Sequence, residues 1–140
     1  MIRIVVDTNI MVSGTLSDDG LPASVLDLAA AKRIQLVVSA DVLAKYAEVL
    51  RRPRFKLGAV HIAQVLAVIR KTSQLVKPSR RLAISRDESD NRFYECAEVG
   101  NADFLITGNT SRFPLQHKNT KVVTPSEFIG LIGPDFGAGE

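Results

Sequence analysis

A single cysteine, Cys96, leaves this chain of 140 residues without an internal disulfide. That fits a reducing compartment, and a cytoplasmic location is expected. No apolar run approaches the roughly 18 residues of a membrane-spanning helix, so no membrane partner is expected. The amino-terminal residues lack a basic stretch followed by a long apolar one, which argues against a secretory signal. No Gly-rich segment ends in Gly-Lys-Ser or Gly-Lys-Thr, which excludes a P-loop nucleotide enzyme. Aromatic residues are few, at 6%, so base-stacking platforms of the single-strand kind are poorly supported.

What is present describes one globular domain. Hydrophobic residues make up 46% and charged residues 24%, ordinary proportions for a chain with a sizeable core. The net charge of +3 mildly favours a polyanionic partner. Short apolar runs at Arg3–Val6, Ile34–Val38, Phe104–Thr107 and Lys121–Thr124 read as strands, with Leu75-Val76 as a short strand or extended turn. Helically spaced apolar residues mark helices from Leu21 through Leu28, from Ser39 to before Pro53, over 60–71, over 90–99 and over Pro125–Ile132. Ser39 reads as an N-cap. Thr15–Pro22 and Lys77–Glu88 read as loops. Alternating strands and helices predict a parallel sheet covered on both faces, formed by residues 1–132. The Gly-rich stretch 133–140 is expected to fray.

Acidic and polar residues gather at the expected strand ends. Asp7, followed by Thr8 and Asn9, ends the first strand. Asp41, Lys45 and Glu48 share one helix face at i, i+4 and i+7. Asp87 and Asp90 open the helix near residue 90, and Asp103 and Asn109 bracket the strand at Phe104–Thr107. If the first and fourth strands are neighbours at a switch point, Asp7, Asp90 and Asn109 converge. Carboxylates so placed repel one another unless a cation joins them. A hard ion such as Mg²⁺, held by one or two carboxylates and several waters, suits such a set and activates water for attack on a phosphate. Each residue also has a structural alternative. Asp7-Thr8-Asn9 can be a side-chain-stabilised turn, Asp90 a helix cap, and Glu48 a surface partner of Arg51 or Arg52. Asp103 reads as structural.

Four ordered segments, VVDTNIMVSG (Val5–Gly14), SADVLAKYAEVLRRPRF (Ser39–Phe55), SRDESDNRFYECA (Ser85–Ala97) and ADFLITGNTSRFP (Ala102–Pro114), followed by VVTPSEFI (Val122–Ile129), resemble the PIN-domain family. The branch they resemble is the stand-alone prokaryotic group of toxin components of toxin–antitoxin systems, the VapC-like ribonucleases. The resemblance implies a three-layer α/β/α sandwich with a central parallel sheet, and Mg²⁺- or Mn²⁺-dependent ribonuclease activity. By position, Asp7 matches the first family acid and Asp90 the third. Asn109 stands at the fourth acidic position, where its amide oxygen can ligate weakly or hold a water. Asp87 is a helper beside Asp90, and Thr8 and Asn9 match residues that orient the first carboxylate. The second family acid is replaced by Lys45. Glu48, one turn on, is the candidate to reach the same cleft. Alternatively, the Lys45 ammonium weakens metal affinity or contacts the scissile phosphate.

The basic clusters Arg51, Arg52, Arg54 and Lys56, and Lys77, Arg80, Arg81 and Arg86, either hold a nucleic-acid backbone or form a solvated rim. Arg112 and Phe113 are placed at the cleft edge. His61 and His117 fall outside the acidic segments. The resemblance further implies RNA as substrate and an antitoxin that occludes the cleft. A homodimer through the apolar helix over 60–71 is a further expectation. Two functions compete: a metal-dependent endoribonuclease, and a PIN-like module that binds RNA or protein without efficient cleavage. A phosphatase with an aspartyl nucleophile is disfavoured, because Asn9 stands where its second Asp is needed.

Overall fold

The computed structural model describes residues 1–133. The stretch expected to fray lies outside them except for Gly133, which ends the last helix at φ 83°. Arg3–Val6 forms β1, with Ile4, Val5 and Val6 fully buried, as expected of a strand covered on both faces. The chain then enters α1 (Thr8–Leu16). This helix corrects the sequence reading, which begins a loop at Thr15. Its buried residues Ile10, Met11 and Val12 are consecutive, so no helical periodicity announces it.

After α2 (Leu21–Ala30) and β2 (Gln35–Val38), Ser39 caps α3 (Ala40–Leu50) by accepting the Val42 amide at 3.2 Å. This is the capping role that the sequence predicts. A 3₁₀ turn at Pro53–Phe55 leads to α4 (Ala59–Thr72) and the two-residue β3 (Gln74–Leu75). A polar loop then runs to Asp87. It is pinned by Glu95, which is buried yet accepts the Leu82 amide at 2.9 Å and pairs with Arg81 and Arg92 at 3.0 and 2.9 Å. A buried carboxylate is tolerated when its oxygens are satisfied in this way. The remaining elements are a 3₁₀ turn at Glu88–Asp90, α5 (Asn91–Gly100), β4 (Phe104–Ile106), a 3₁₀ turn at Thr110–Arg112, β5 (Gln116–His117), β6 (Thr120–Val123) and α6 (Pro125–Ile132). Thr124 and Glu127 close the start of α6 with a reciprocal capping box.

The strands form one sheet in the order β3-β2-β1-β4-β6-β5. All pairs are parallel except β5–β6. The antiparallel edge strand β5 was not expected, because two polar residues carry no alternating pattern. The chain builds outward from β1 through β2 and β3, then returns to build the other way through β4 and β6. Right-handed crossovers therefore put α5 on the face opposite α1 and α2, and α3 touches both α1 and α5. Accordingly, α5 packs on β1, β2 and β4, while α1, α2 and α6 pack together. The result is the predicted α/β/α sandwich. Its direction reverses between β1 and β4, where open α/β sheets bind ligands at the strands' carboxyl ends.

Candidate active site

The pairing of Val6 with Ile106 in β1 and β4 sets Asp7 and Thr107 side by side at those ends. Asp7 is only 2% exposed. Its backbone carbonyl accepts the Ile10 and Met11 amides and so starts α1, but its carboxylate does not cap the helix. The carboxylate instead accepts the Thr107 hydroxyl at 2.8 Å. Burial pushes the Asp7 carboxyl above its ordinary value. The Thr107 hydrogen bond and the nearby Arg112 charge pull it down, and the negative charge of Asp90 adds to the upward push. Asp7, Asp90 and Arg112 thus share one electrostatic pocket.

Asp90 enters that pocket from the last residue of its 3₁₀ turn, just before α5. It is fully buried and makes no side-chain capping bond, so the helix-cap alternative does not describe it. Its two oxygens receive Arg112 Nη2 at 2.6 Å and Nε at 3.1 Å, the two-pronged geometry in which guanidinium and carboxylate bind most strongly. The cation that the acidic pocket needs is in part supplied by the chain itself. Arg112 also stands 3.7 Å from Asp87.

Lys45 reaches the same region from α3. Its ammonium donates to Ser89 Oγ at 2.6 Å and lies 5.8 Å from the centre of the Phe93 ring. Asp87 accepts the Ser89 amide and hydroxyl at 3.0 and 2.8 Å. These bonds, and then the Lys45 and Arg112 charges, hold the Asp87 carboxyl below its ordinary value. Glu48 is highly exposed and pairs with Arg52 at 3.6 Å. Asn109 is exposed, accepts the Ser111 hydroxyl at 2.5 Å and donates its backbone amide to Thr107 Oγ1 at 3.1 Å. Asn9 is exposed, whereas Thr8 is buried and its hydroxyl has no hydrogen-bond partner.

Arg51, Arg52 and Arg54 are exposed on the segment after α3, with Arg54 stacked 4.8 Å from the centre of the Phe55 ring. Within the second basic cluster, Arg80 and Arg81 fasten the loop to Glu98, Asp41 and Glu95. Arg86 lines a cleft of 540 Å³ together with Asp87, Asp90 and Arg112. His61 is exposed on α4, and His117 contacts Glu98 at 3.1 Å. Three contributors escaped the sequence reading: Thr107, Ser89, and Tyr46, whose hydroxyl donates to the Val6 carbonyl beneath Asp7. Thr107 left a signal, a polar residue ending an apolar strand. Ser89 and Tyr46 left none, since their roles depend on the crossing of α3 and α5.

These donors can be matched to a divalent ion. Among the described residues no three Asp, Glu, His or Cys side chains converge, so a cage built wholly from protein is not formed. Asp7 and Asp90 supply two buried carboxylates, and the unpartnered Thr8 hydroxyl is a third hard oxygen beside Asp7. Two carboxylates with vacant positions filled by water and phosphate is the pattern Mg²⁺ uses. The set fits one such ion on condition that Arg112 yields part of Asp90.

Comparison with known proteins agrees with this architecture. A family model described as PIN domain matches residues 3–111. An uncharacterized protein of Methanocaldococcus jannaschii is 29% identical over 140 residues, covering 91% of this chain and 90% of the relative. The crystal structure of VapBC2 from Rickettsia felis, bound to a DNA fragment from their promoter, contains a chain with a TM-score of 0.59 to this one at 19% identity. The match covers 88% of this chain and 98% of that one. The matched span runs from β1 into the turn that carries Arg112, enclosing Asp7, Lys45, Asp90 and Asn109, and on that ground the chain belongs to the PIN-domain family.

Proposed function

We propose that this protein is a metal-dependent endoribonuclease that hydrolyses RNA phosphodiester bonds. One observation carries the reading. Asp7 and Asp90, remote in sequence, are both buried beside the switch point of the sheet, Asp7 on Thr107 and Asp90 on Arg112. Burying two ionised carboxylates together is costly unless positive charge is recruited to them. Asp7 and Asp90 would hold Mg²⁺ or Mn²⁺, with the Thr8 backbone amide and the Thr107 hydroxyl fixing the first carboxylate and Asp87 and Asn109 positioning water. When bound, the ion would lower the pKa of a coordinated water and stabilise charge on the phosphate. Arg86, on the cleft beside Asp90, and Lys45 would receive a backbone phosphate, and Arg51, Arg52 and Arg54 would extend that contact. Exposed and paired with Arg52, Glu48 supports this mechanism least.

The likeness to a VapBC2 chain supports a place as the toxin of a toxin–antitoxin pair, with an antitoxin protein as partner. The test is cleavage of single-stranded RNA with Mn²⁺, wild type against Asp7→Asn. Metal-dependent cutting by the wild type alone is expected, and equal activity in both would remove the mechanism.

A second reading has its own observation. Lys45 stands at the second acidic position, and Arg112 already neutralises Asp90. A module that binds RNA or a protein partner without efficient cleavage would have this charge balance. Calorimetric titration separates the two: micromolar Mn²⁺ binding lost in Asp90→Ala supports the nuclease.

A further inference from the structure

Both oxygens of Asp90 are occupied by Arg112, and Asp90 is fully buried. Asp90 has no exposed surface left, and the lone pairs that face Arg112 open to a second cation when Arg112 gives up one of these contacts. The backbone is fixed. The Arg112 carbonyl accepts the Ser85 hydroxyl at 3.2 Å, and the next residue, Phe113, is buried against Phe93 and Tyr94. The side chain is not so confined. It is 33% exposed and borders the 540 Å³ cleft that Ser85, Arg86, Asp87 and Ser111 also line.

The geometry points to Arg112 as a displaceable internal counter-ion. In the free protein its guanidinium neutralises Asp90. In the complex with a polynucleotide it releases Asp90 to a divalent ion and pairs with a backbone phosphate in the adjoining cleft. The inference rests on the nuclease reading above and adds a positioning residue to it. The exchange is chemically matched, because the planar guanidinium fork binds carboxylate and phosphate through the same pair of parallel hydrogen bonds. Lysine at this position would keep the charge and lose the fork. The exchange also links two binding events. A phosphate that holds Arg112 away from Asp90 favours the divalent ion, and by linkage the ion favours the phosphate equally.

The test measures Mn²⁺ binding by the full chain, from the paramagnetic resonance signal of free Mn²⁺ at neutral pH. Without nucleic acid, Arg112→Gln should bind Mn²⁺ about tenfold more tightly than wild type, with Arg112→Lys between them. A 2′-O-methyl RNA oligomer, checked on a gel to remain intact, should tighten Mn²⁺ binding severalfold in wild type and not in Arg112→Gln. Equal or weaker Mn²⁺ binding by a cooperatively melting Arg112→Gln overturns the proposal and leaves the nuclease reading standing. Should Arg112→Gln fail to fold, an oligomer that leaves wild-type Mn²⁺ affinity unchanged overturns it as well. Absence of Mn²⁺ binding in folded wild type and variant overturns the proposal and the metal-dependent reading together.

Discussion

Thr107 donates its hydroxyl to Asp7 at 2.8 Å across the β1–β4 pair, from a position 100 residues away in sequence. The bond orients a buried carboxylate and favours its ionised form. Thr107→Val keeps the side-chain shape and removes the donor. It should destabilise the fold by about 1–2 kcal/mol in chemical denaturation. Mn²⁺-dependent RNA cleavage should fall by about tenfold or more, the usual cost of losing a group that orients a metal ligand. Thr107→Ser should recover most of both.

Asp7→Asn separates stability from activity. Burial holds the Asp7 carboxyl above its ordinary 3.8, so the folded state binds that proton more tightly than the unfolded chain does. Ionisation of Asp7 therefore costs stability, beginning as pH rises past 3.8 and complete above the folded pKa. The permanently neutral Asn should melt higher than wild type at pH 7 in the presence of a chelator. The difference should vanish below pH 3.8. Cleavage should fall by at least about a hundredfold, a trade of function for stability.

Residues 3–6 were legible because Ile4, Val5 and Val6 form an apolar run that stops at a charge. The strands other than β5, and Ser39 as a cap, followed from periodicity and turn chemistry. The approach of Asp7 to Asp90 was conditional on the first and fourth strands being neighbours, as β1 and β4 are. α1 was not legible, since its buried residues are adjacent and its first turn reads as a polar bend. The counter-charge was half legible. The sequence demands a cation among the acids and places Arg112 at the cleft edge. It carries no signal that Arg112 and Asp90, 22 residues apart, meet through two hydrogen bonds. That pairing depends on how the turn after β4 is set against the start of α5, a tertiary relationship. Glu48 illustrates the converse. One-turn spacing from Lys45 places it on the same helix face, yet at i, i+4 it finds Arg52 in solvent.

Glu98 should set the acid limit of one part of the fold. It receives Arg80 through two nitrogens at 2.9 and 2.6 Å, Lys118 at 3.0 Å and His117 at 3.1 Å. It thereby ties the polar loop to the β5–β6 hairpin. The Arg80 hydrogen bond, foremost among these contacts, holds the Glu98 carboxyl well below its ordinary 4.5. A depressed folded pKa contributes stability that is fully present above 4.5 and is lost as pH falls through the folded value. Glu98→Gln should melt a few degrees below wild type at pH 6 to 7, measured calorimetrically. The two curves should draw together below about pH 4.5, the ordinary glutamate range.

Lys45→Glu asks whether the ammonium in the cleft weakens an ion site or serves a phosphate. The Lys45 ammonium sits on Ser89 Oγ at 2.6 Å and contributes to holding Asp87 ionised. Reversing its charge removes the local counter-charge and puts a third carboxylate near Asp87 and Asp90. Without metal, like charges then oppose one another, and the variant should be less stable than wild type by about 1–3 kcal/mol. Added Mn²⁺ should narrow the gap. If the ion binds tenfold more tightly, its stabilising effect at saturation grows by about 1.4 kcal/mol over that on wild type. Thermal melts with and without Mn²⁺ measure both terms, and RNA cleavage distinguishes the two roles. Faster cutting at low Mn²⁺ means that Lys45 had only been weakening the ion site. Tighter Mn²⁺ binding with slower cutting and a raised KM for RNA means that the ammonium holds a phosphate, and that the family's second acid has been exchanged for a substrate contact.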